Sequence, residues 1–99
     1  MLFRSHRYLP AAREELNEAA AFYEASVPGL GDAFLDDVDR TIESARDNPR
    51  IGVVAGRRFR RTLLRRFPYS IIYAERGNEL VIVAVAHQRR RPGYWRGRQ

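Results

Sequence analysis

Residues 79–95 read ELVIVAVAHQRRRPGYW and contain the longest apolar run of the chain. The run covers residues 80–86, and its seven consecutive apolar side chains predict a strand that is buried on both faces of a sheet. A membrane-spanning helix needs ~20 such residues, so this run is too short for one. The segment that follows, residues 87–95, holds three arginines, a Pro-Gly break and two aromatic residues. We therefore predict a central strand that carries this basic segment from a rigid part of the molecule to the surface.

Two amphipathic helices are predicted upstream of this strand. Pro10 stands where proline is tolerated, at the first position of a helix, and apolar residues recur at three- and four-residue steps through residues 11–25. A Pro-Gly pair at 28–29 interrupts this pattern. A second amphipathic pattern follows and ends at the Asn-Pro pair 48–49, because the residue before a proline disfavours helical geometry. The short break between the two helices implies an antiparallel helical hairpin.

Three further strands complete the predicted fold. They cover residues 2–8, the arginine-rich residues 58–64, and residues 69–74, which are rich in β-branched and aromatic side chains. The Gly-Asn pair 77–78 is a hairpin signal that joins the last of these to the central strand, whereas residues 50–56 are predicted to be a loop. The expected fold is α+β, with the order β-α-α-β-β-β. It consists of an antiparallel sheet of about four strands with the N-terminal helical hairpin packed on one face.

Length and composition exclude several classes of site. A chain of 99 residues is near the commonest size for one core, so we expect a single domain over residues 1–99. The absence of cysteine excludes disulfides and thiolate metal sites, and two histidines are too few to predict a metal centre. No cofactor or metal is expected. Residues 1–7 carry charges where a signal peptide needs its apolar stretch, so a soluble, cytoplasmic protein is predicted.

Charge is distributed unevenly along the chain. All 18 basic residues are arginines, and the net charge is +6. Residues 1–49 hold five arginines against ten acidic residues, whereas residues 50–99 hold thirteen against two. A positive surface of this strength attracts nucleic acid, acidic protein surfaces or anionic lipid, without choosing among them.

The arginine-rich strand is the first candidate site. Arginine presents a planar fork that pairs with phosphates and carboxylates, which makes Arg58, Arg60 and Arg61 candidates for binding a partner. Alternation along the strand predicts Arg58 and Arg60 on one face and Arg61 on the other. The alternative is an edge strand whose charge blocks aggregation.

The second candidate site is the segment after the central strand, whose arginine and aromatic side chains are Arg89, Arg90, Arg91, Tyr94 and Trp95. Arginines combined with aromatic residues suit stacking on bases or anchoring a protein interface. His87, at the end of the strand, is predicted to be a hydrogen-bonded structural residue. The second helix carries acidic residues that are predicted to be solvated: Asp36, Asp37 and Asp39.

Four segments in combination resemble the ParE branch of the ParE/RelE toxin superfamily. They are PAAREEL at 10–16, the helix end at 48–49, RRFPYSIIY at 65–73 and VAVAHQRRRPGYW at 83–95. The resemblance implies a bacterial toxin of a type II toxin-antitoxin pair. Its partner would be a small antitoxin, of ribbon-helix-helix or similar type, whose acidic or amphipathic C-terminal segment wraps the toxin. Operator DNA would be bound only through that antitoxin, and no membrane partner is implied.

The superfamily contains two activities. ParE-like members inhibit DNA gyrase, whereas RelE-like members are ribosome-dependent endoribonucleases that cut messenger RNA through arginines, lysines and a C-terminal tyrosine. By alignment, Arg89 and Tyr94 fall near the RelE-type arginine and tyrosine, but Ser70 replaces an arginine and lysine is absent. Because RNA cleavage needs a positioned base and positioned cations, these departures favour a non-catalytic gyrase inhibitor that arrests growth.

The resemblance also suggests roles for the two candidate sites. Target contact is assigned to Arg89, Arg90, Arg91, Tyr94 and Trp95. Electrostatic contact with antitoxin or target is assigned to Arg58, Arg60 and Arg61. The nuclease alternative makes Arg89 and Tyr94 central to catalysis, and a third hypothesis is a detoxified relative that binds its antitoxin and represses their operon.

Overall fold

The computed structural model describes residues 3–98, which form two helices and five strands. In chain order these are β1 His6–Tyr8, α1 Pro10–Ser26, α2 Leu30–Asp47, β2 Val53–Val54, β3 Arg60–Leu63, β4 Tyr69–Arg76 and β5 Glu79–His87. The predicted α+β class and the helical hairpin are confirmed. Leu2, where the N-terminal strand was expected to begin, lies outside the described residues.

The sheet has five strands of mixed direction, which corrects the expectation of about four antiparallel strands. Its order is β1-β5-β4-β3-β2. β1 is parallel to β5, with His6 opposite Leu80 and Tyr8 opposite Ile82, whereas the other neighbouring strands are antiparallel. Parallel strands need a long crossover connection, and here the helices and three strands intervene between β1 and β5. The apolar strand β5 is therefore paired on both sides over residues 80–82, whereas from Val83 onward only β4 pairs with it.

The arginine-rich region differs from the prediction in two ways. β2 lies within residues 50–56, which were predicted to be a loop, and Val53 is opposite Arg61 of β3. A two-residue strand is too short to leave an alternating pattern in the sequence. β3 begins at Arg60 rather than Arg58, because Arg58 has a φ of 70° and lies in the preceding turn.

The helical hairpin covers one face of the sheet. Leu16 of α1 and Phe34, Val38 and Ile42 of α2 are buried in this layer. The sheet residues of the same cluster are Ile71, Tyr73, Leu80, Ile82 and Val85. The helices thus form one layer of a two-layer core, and α1 is held directly over β5.

A second apolar cluster lies on the sheet face opposite the helices. It contains residues of β4 and β5 together with Leu9 and Trp95. The pairing of β4 with β5 shifts between Ile72 and Tyr73, which leaves Val83 as an extra residue on β5. This β-bulge accounts for the presence of two consecutive residues, Val83 and Ala84, in the same cluster. β5 is buried on both faces, as its composition predicted.

The turn between the helices is closed by Glu24 of α1. Its carboxylate accepts hydrogen bonds from the backbone N–H groups of Gly29, at 3.0 Å, and Gly31, also at 3.0 Å, which would otherwise be unsatisfied at the start of α2. Gly29 has a φ of 89°, a conformation that favours glycine. A Cβ on Gly31 would lie 2.7 Å from the Ala20 carbonyl oxygen, so the close approach of the helices also requires glycine there.

Tyr73 fixes the position of the loop that leads into β2. Its buried hydroxyl donates a hydrogen bond to the Pro49 carbonyl at 2.7 Å and accepts one from the Gly52 N–H at 3.0 Å. A Cβ on Gly52 would lie 2.6 Å from this hydroxyl, so a larger residue would displace it. β2 is therefore held at the sheet edge by a side chain of β4.

Candidate functional site

The segment after β5, residues 88–98, folds back on the sheet through successive turns. Their backbone hydrogen bonds join Arg90 N–H to His87 O, Tyr94 N–H to Arg91 O, and Arg98 N–H to Trp95 O. Gly93 has a φ of 79°, which favours glycine at this bend. We call residues 88–98 the C-terminal arm. It contains five arginines and no acidic residue.

Glu15 of α1 anchors the C-terminal arm. Its carboxylate accepts hydrogen bonds from the Tyr94 hydroxyl at 2.7 Å and from Arg98 at 2.9 Å to each oxygen. It also accepts the Val85 N–H of β5 at 3.0 Å, and Arg98 donates a further bond to the Val83 carbonyl at 3.0 Å. Because the Glu15 side chain is 13% exposed, this bidentate ion pair is shielded from solvent.

The protonation of the anchor follows from these contacts. Burial alone would raise the pKa of Glu15, but the hydrogen bonds from Arg98, Tyr94 and the Val85 N–H hold the pKa below its ordinary value. Burial and the hydrogen bond to Glu15 raise the pKa of Tyr94. The bond to Glu15 likewise raises the pKa of Arg98. At neutral pH the anchor thus combines a carboxylate, a neutral phenol and a guanidinium cation.

Trp95, which was predicted to contact the target, is a buried core residue. Its side chain is 5% exposed and packs in the second cluster, with its ring centre 5.0 Å from that of Phe59. The arm folds over the sheet face opposite the helices, and the indole closes that face. Tyr94 is half-buried, and its hydroxyl is engaged by Glu15.

The three consecutive arginines of the arm, Arg89, Arg90 and Arg91, are exposed. The Arg90 guanidinium lies 3.8 Å from the ring centre of Tyr94 and 4.0 Å from the Glu15 carboxylate, so its position is restrained. The Arg89 N–H donates to His87 Nδ1 at 3.0 Å. His87 also packs edge-on against Tyr69, with ring centres 4.9 Å apart, which gives it the structural contacts predicted for it.

A groove of about 650 Å³ separates the arm from strands β2 to β4. We call it the arginine groove, since its lining includes Arg61, Arg90, Arg91 and Arg96. The same groove is lined by apolar side chains of the sheet and arm, including Val54, Leu63, Ile72 and Trp95. Residues from both predicted sites therefore meet on one surface.

The other two arginines of the first candidate site lie elsewhere. Arg58 and Arg60 line a neighbouring hollow of about 450 Å³ together with Phe59 and Glu75. Arg60 Nη1 donates to the Gly52 carbonyl at 2.8 Å, so this side chain supports the β2 loop. Of the three predicted arginines, Arg61 lines the arginine groove.

Sequence reasoning missed an apolar rim beside the arginine groove. Ile51, Val53, Val54 and Leu63 are all more than half exposed, and Val54 and Leu63 reach the groove. Two of them form β2, whose shortness hid it in the sequence. An exposed apolar strip next to several arginines suits a partner that is both apolar and acidic.

Asp37 is buried rather than solvated, which corrects the prediction for the acidic face of α2. Its side chain is 1% exposed and accepts the backbone N–H groups of Arg66 at 2.9 Å and Arg65 at 3.4 Å. Asp36 and Asp39 are exposed, as predicted. A carboxylate that caps a distant loop cannot be recognised from its own helix.

The site offers cations and apolar surface rather than metal ligands. Within residues 3–98, no group of three or more histidine or acidic side chains is placed to hold a metal ion. Neither helix of that part of the chain is long and apolar enough to cross a membrane. Ser70 of β4 also lines the arginine groove, with 5% of its surface exposed.

A helical hairpin on a five-stranded mixed sheet, with a basic arm folded across the second face, defines a small α+β domain. The family model of the ParE toxin of the type II toxin-antitoxin system, parDE, matches residues 7–92. The chain belongs to this family. No curated protein matches it.

Solved structures show the same fold. The chain is similar to one from the chromosomal ParDE TA system from P. aeruginosa, with a TM-score of 0.74 and 17% sequence identity. The match covers 87% of this chain and 96% of the other. At this identity the likeness establishes the architecture, and function has to be argued from the arm and the groove.

Proposed function

We propose that this chain is a growth-arresting toxin that binds DNA gyrase and blocks its cycle, with no covalent chemistry of its own. The observation that carries the proposal is the presentation of Arg89, Arg90 and Arg91 on an anchored arm. The arm is fixed at one end by β5 and at the other by Glu15, Tyr94 and Trp95. A preorganised basic surface loses little conformational freedom on binding, which favours affinity for an acidic protein surface.

A cognate antitoxin occupies the arginine groove in this proposal. The groove combines an apolar floor with four arginines, and Leu63 at its rim is 58% exposed. An acidic, amphipathic C-terminal segment of a ribbon-helix-helix or similar antitoxin matches both properties, because its apolar side chains cover the floor and its carboxylates pair with the arginines. Contact with operator DNA then occurs through the antitoxin. Because Arg90 and Arg91 belong to both arm and groove, antitoxin binding also covers the gyrase-contacting surface.

Gyrase inhibition is tested with purified components. The chain is added at increasing molar ratio to gyrase, ATP and relaxed plasmid, and supercoiling is followed by gel electrophoresis. We expect supercoiling to stop at a small molar excess and to recover when the antitoxin encoded by a neighbouring reading frame is added. Unaffected supercoiling at several-fold excess, with a preparation whose fold is verified by circular dichroism, would refute the gyrase assignment.

The ribonuclease alternative has one supporting feature, the proximity of an exposed arginine segment to Tyr94. Against it, the Tyr94 hydroxyl donates to Glu15 at 2.7 Å, and the raised pKa of Tyr94 disfavours the phenolate that would serve as a base. Adding the protein to a translation extract and mapping messenger RNA ends distinguishes the ribonuclease from the gyrase inhibitor. New messenger RNA ends that disappear in Arg89→Ala would favour the nuclease, and no growth arrest on induction without antitoxin would favour a detoxified relative.

A further inference from the structure

The C-terminal arm contains no acidic residue to balance the charge of its arginines. Residues 88–98 contain five arginines and no acid, and the second half of the chain holds two acids in all, Glu75 and Glu79. Glu79 pairs with Arg7 of β1 at 2.7 Å, at the end of β5 remote from the arm. The countercharge for the arm therefore comes from the acidic helical half, through Glu15.

Glu15 holds the arm at its far end. Three of the four hydrogen bonds that its carboxylate accepts come from Tyr94 and Arg98, beyond the exposed arginines, and the fourth comes from Val85 of β5. The same carboxylate therefore joins the last strand to the segment that has just left it. Arg89, Arg90 and Arg91 lie between these two fixed points.

The contacts of Glu15 are separate from the apolar layers. The helix-side cluster is built from side chains such as Leu16, Ala19 and Phe34, and the opposite cluster from β4, β5 and Trp95. Removal of the Glu15 charge takes no apolar side chain from either cluster, and in the opposite cluster only the contacts of the arm residues Tyr94 and Trp95 depend on the order of the arm. Its main consequence falls on the arm, since five like charges close together repel one another when the anchoring carboxylate is gone.

We propose that Glu15 is a positioning residue for the interaction surface, and that its carboxylate holds the C-terminal arm in the one conformation that presents Arg89, Arg90 and Arg91. The effect of this residue on gyrase rests on the proposed function above. Its effect on the order of the arm does not. The anchor also gives the charge asymmetry of the chain a structural role, because an acid of the first half organises the arginines of the second.

The order of the arm is measured first, without gyrase. Amide hydrogen exchange and Trp95 fluorescence are compared for the wild type, Glu15→Gln and the control Glu14→Gln, which changes the same charge at the adjacent exposed position. We expect exchange in residues 88–98 to accelerate about tenfold or more in Glu15→Gln, since hydrogen bonds to a charged group are lost. Residues of α2 and β4 should be unchanged. Unchanged exchange in the arm, or equal acceleration throughout the chain, would overturn the proposal.

A second variant isolates the ion pair. Arg98→Gln leaves Glu15 in place and removes its bidentate partner, so we expect it to loosen the arm as Glu15→Gln does. The double variant should be little looser than either single variant, because all act on one contact. Additive effects of the two substitutions would show that they act independently and would contradict a shared anchor.

The consequence for the target is measured last. If the wild type inhibits gyrase, Glu15→Gln should raise the concentration for half-inhibition about tenfold, while Glu14→Gln leaves it unchanged. Equal inhibition by a variant whose arm is demonstrably loosened would overturn the positioning role. A wild type with an ordered arm that fails to inhibit gyrase would instead refute the proposed function and leave the anchor intact.

Discussion

At the scale of single residues, two acidic side chains of the helices point into the protein and are largely buried. Glu15 meets the C-terminal arm and Asp37 caps the loop at Arg65 and Arg66, whereas neighbouring acids such as Glu14 and Asp36 are exposed. A buried carboxylate is tolerated because each accepts several hydrogen bonds. Each therefore stabilises a segment that the apolar core alone leaves undetermined.

Asp37→Ala should lower the free energy of unfolding by about 2–3 kcal/mol, because two backbone N–H groups lose a charged acceptor. Chemical denaturation followed by circular dichroism measures this loss. Asp36→Ala is the matched control on the same helix, and its exposed side chain predicts a change within about 0.5 kcal/mol. Equal effects of the two substitutions would contradict the capping role of Asp37.

His6 predicts a pH dependence of stability. Burial and the charge of Arg46 lower its pKa below 6.5, with a smaller contribution from Arg13 and opposition from Asp39. The unfolded chain therefore takes up this proton near pH 6.5, whereas the folded chain takes it up only at lower pH. Stability contributed by neutral His6 is present above pH 6.5 and is lost as pH falls through the folded pKa.

The check is the slope of unfolding free energy against pH between 7.5 and about 5.5. As the pH is lowered, we expect the free energy of unfolding to decrease in the wild type and to decrease less steeply in His6→Gln. This comparison of slopes does not depend on the absolute stability of the variant. The carboxylate of Glu15 acts in a separate range, below its ordinary pKa of 4.5. Identical slopes for the two proteins would contradict the assignment to His6.

The sequence predicted the exposed arginine segment but not the carboxylate that anchors it. The arginine segment, its exposure and the structural role of His87 follow from the residues after β5. Glu15 was not predictable, because its partners Tyr94 and Arg98 are 79 and 83 positions away. The burial of Trp95 was not predictable for a related reason, since an aromatic residue after a strand has the same local pattern whether it faces solvent or folds back on the sheet.

At the scale of elements, β2 and β3 form one side of the arginine groove, through Val54, Arg61 and Leu63. The long periodic segments α1, α2, β4 and β5 were predicted close to their observed bounds, because their patterns extend over many residues. The two-residue strand β2 and the parallel pairing of β1 carry no such pattern, since direction and edge position depend on the whole chain path. The apolar rim that β2 creates was therefore beyond prediction.

Leu63→Asp should weaken antitoxin binding about tenfold or more, because it removes apolar surface from the rim and repels an acidic segment. The side chain is 58% exposed, so the fold should be little affected. Val27→Asp is the control, with 53% exposure at the end of the helical hairpin. Calorimetric titration with the antitoxin peptide measures both affinities. Equal affinity of Leu63→Asp and the wild type would place the antitoxin elsewhere.

At the scale of the whole molecule, the fold organises an uneven charge distribution. The acidic helices cover one face of the sheet, and six of the thirteen arginines of the second half lie in the arm or line the arginine groove. Two inward carboxylates provide fixed points for that basic half, and the excess of 18 arginines over 12 acidic residues gives the net charge of +6. Such a surface favours fast association with acidic partners.

The central claim is that the anchored arginines Arg89, Arg90 and Arg91 make the contact with gyrase. Its most direct test is the affinity of purified gyrase for the wild type, for the triple alanine variant of these residues, and for a charge-matched control in which Arg4, Arg50 and Arg76 become alanine. We predict that the arm variant loses affinity by about a hundredfold or more, whereas the control stays within about threefold of the wild type. Equal losses of affinity in the two variants would show that only the total positive charge matters for binding. An unchanged affinity of the arm variant would contradict the claim.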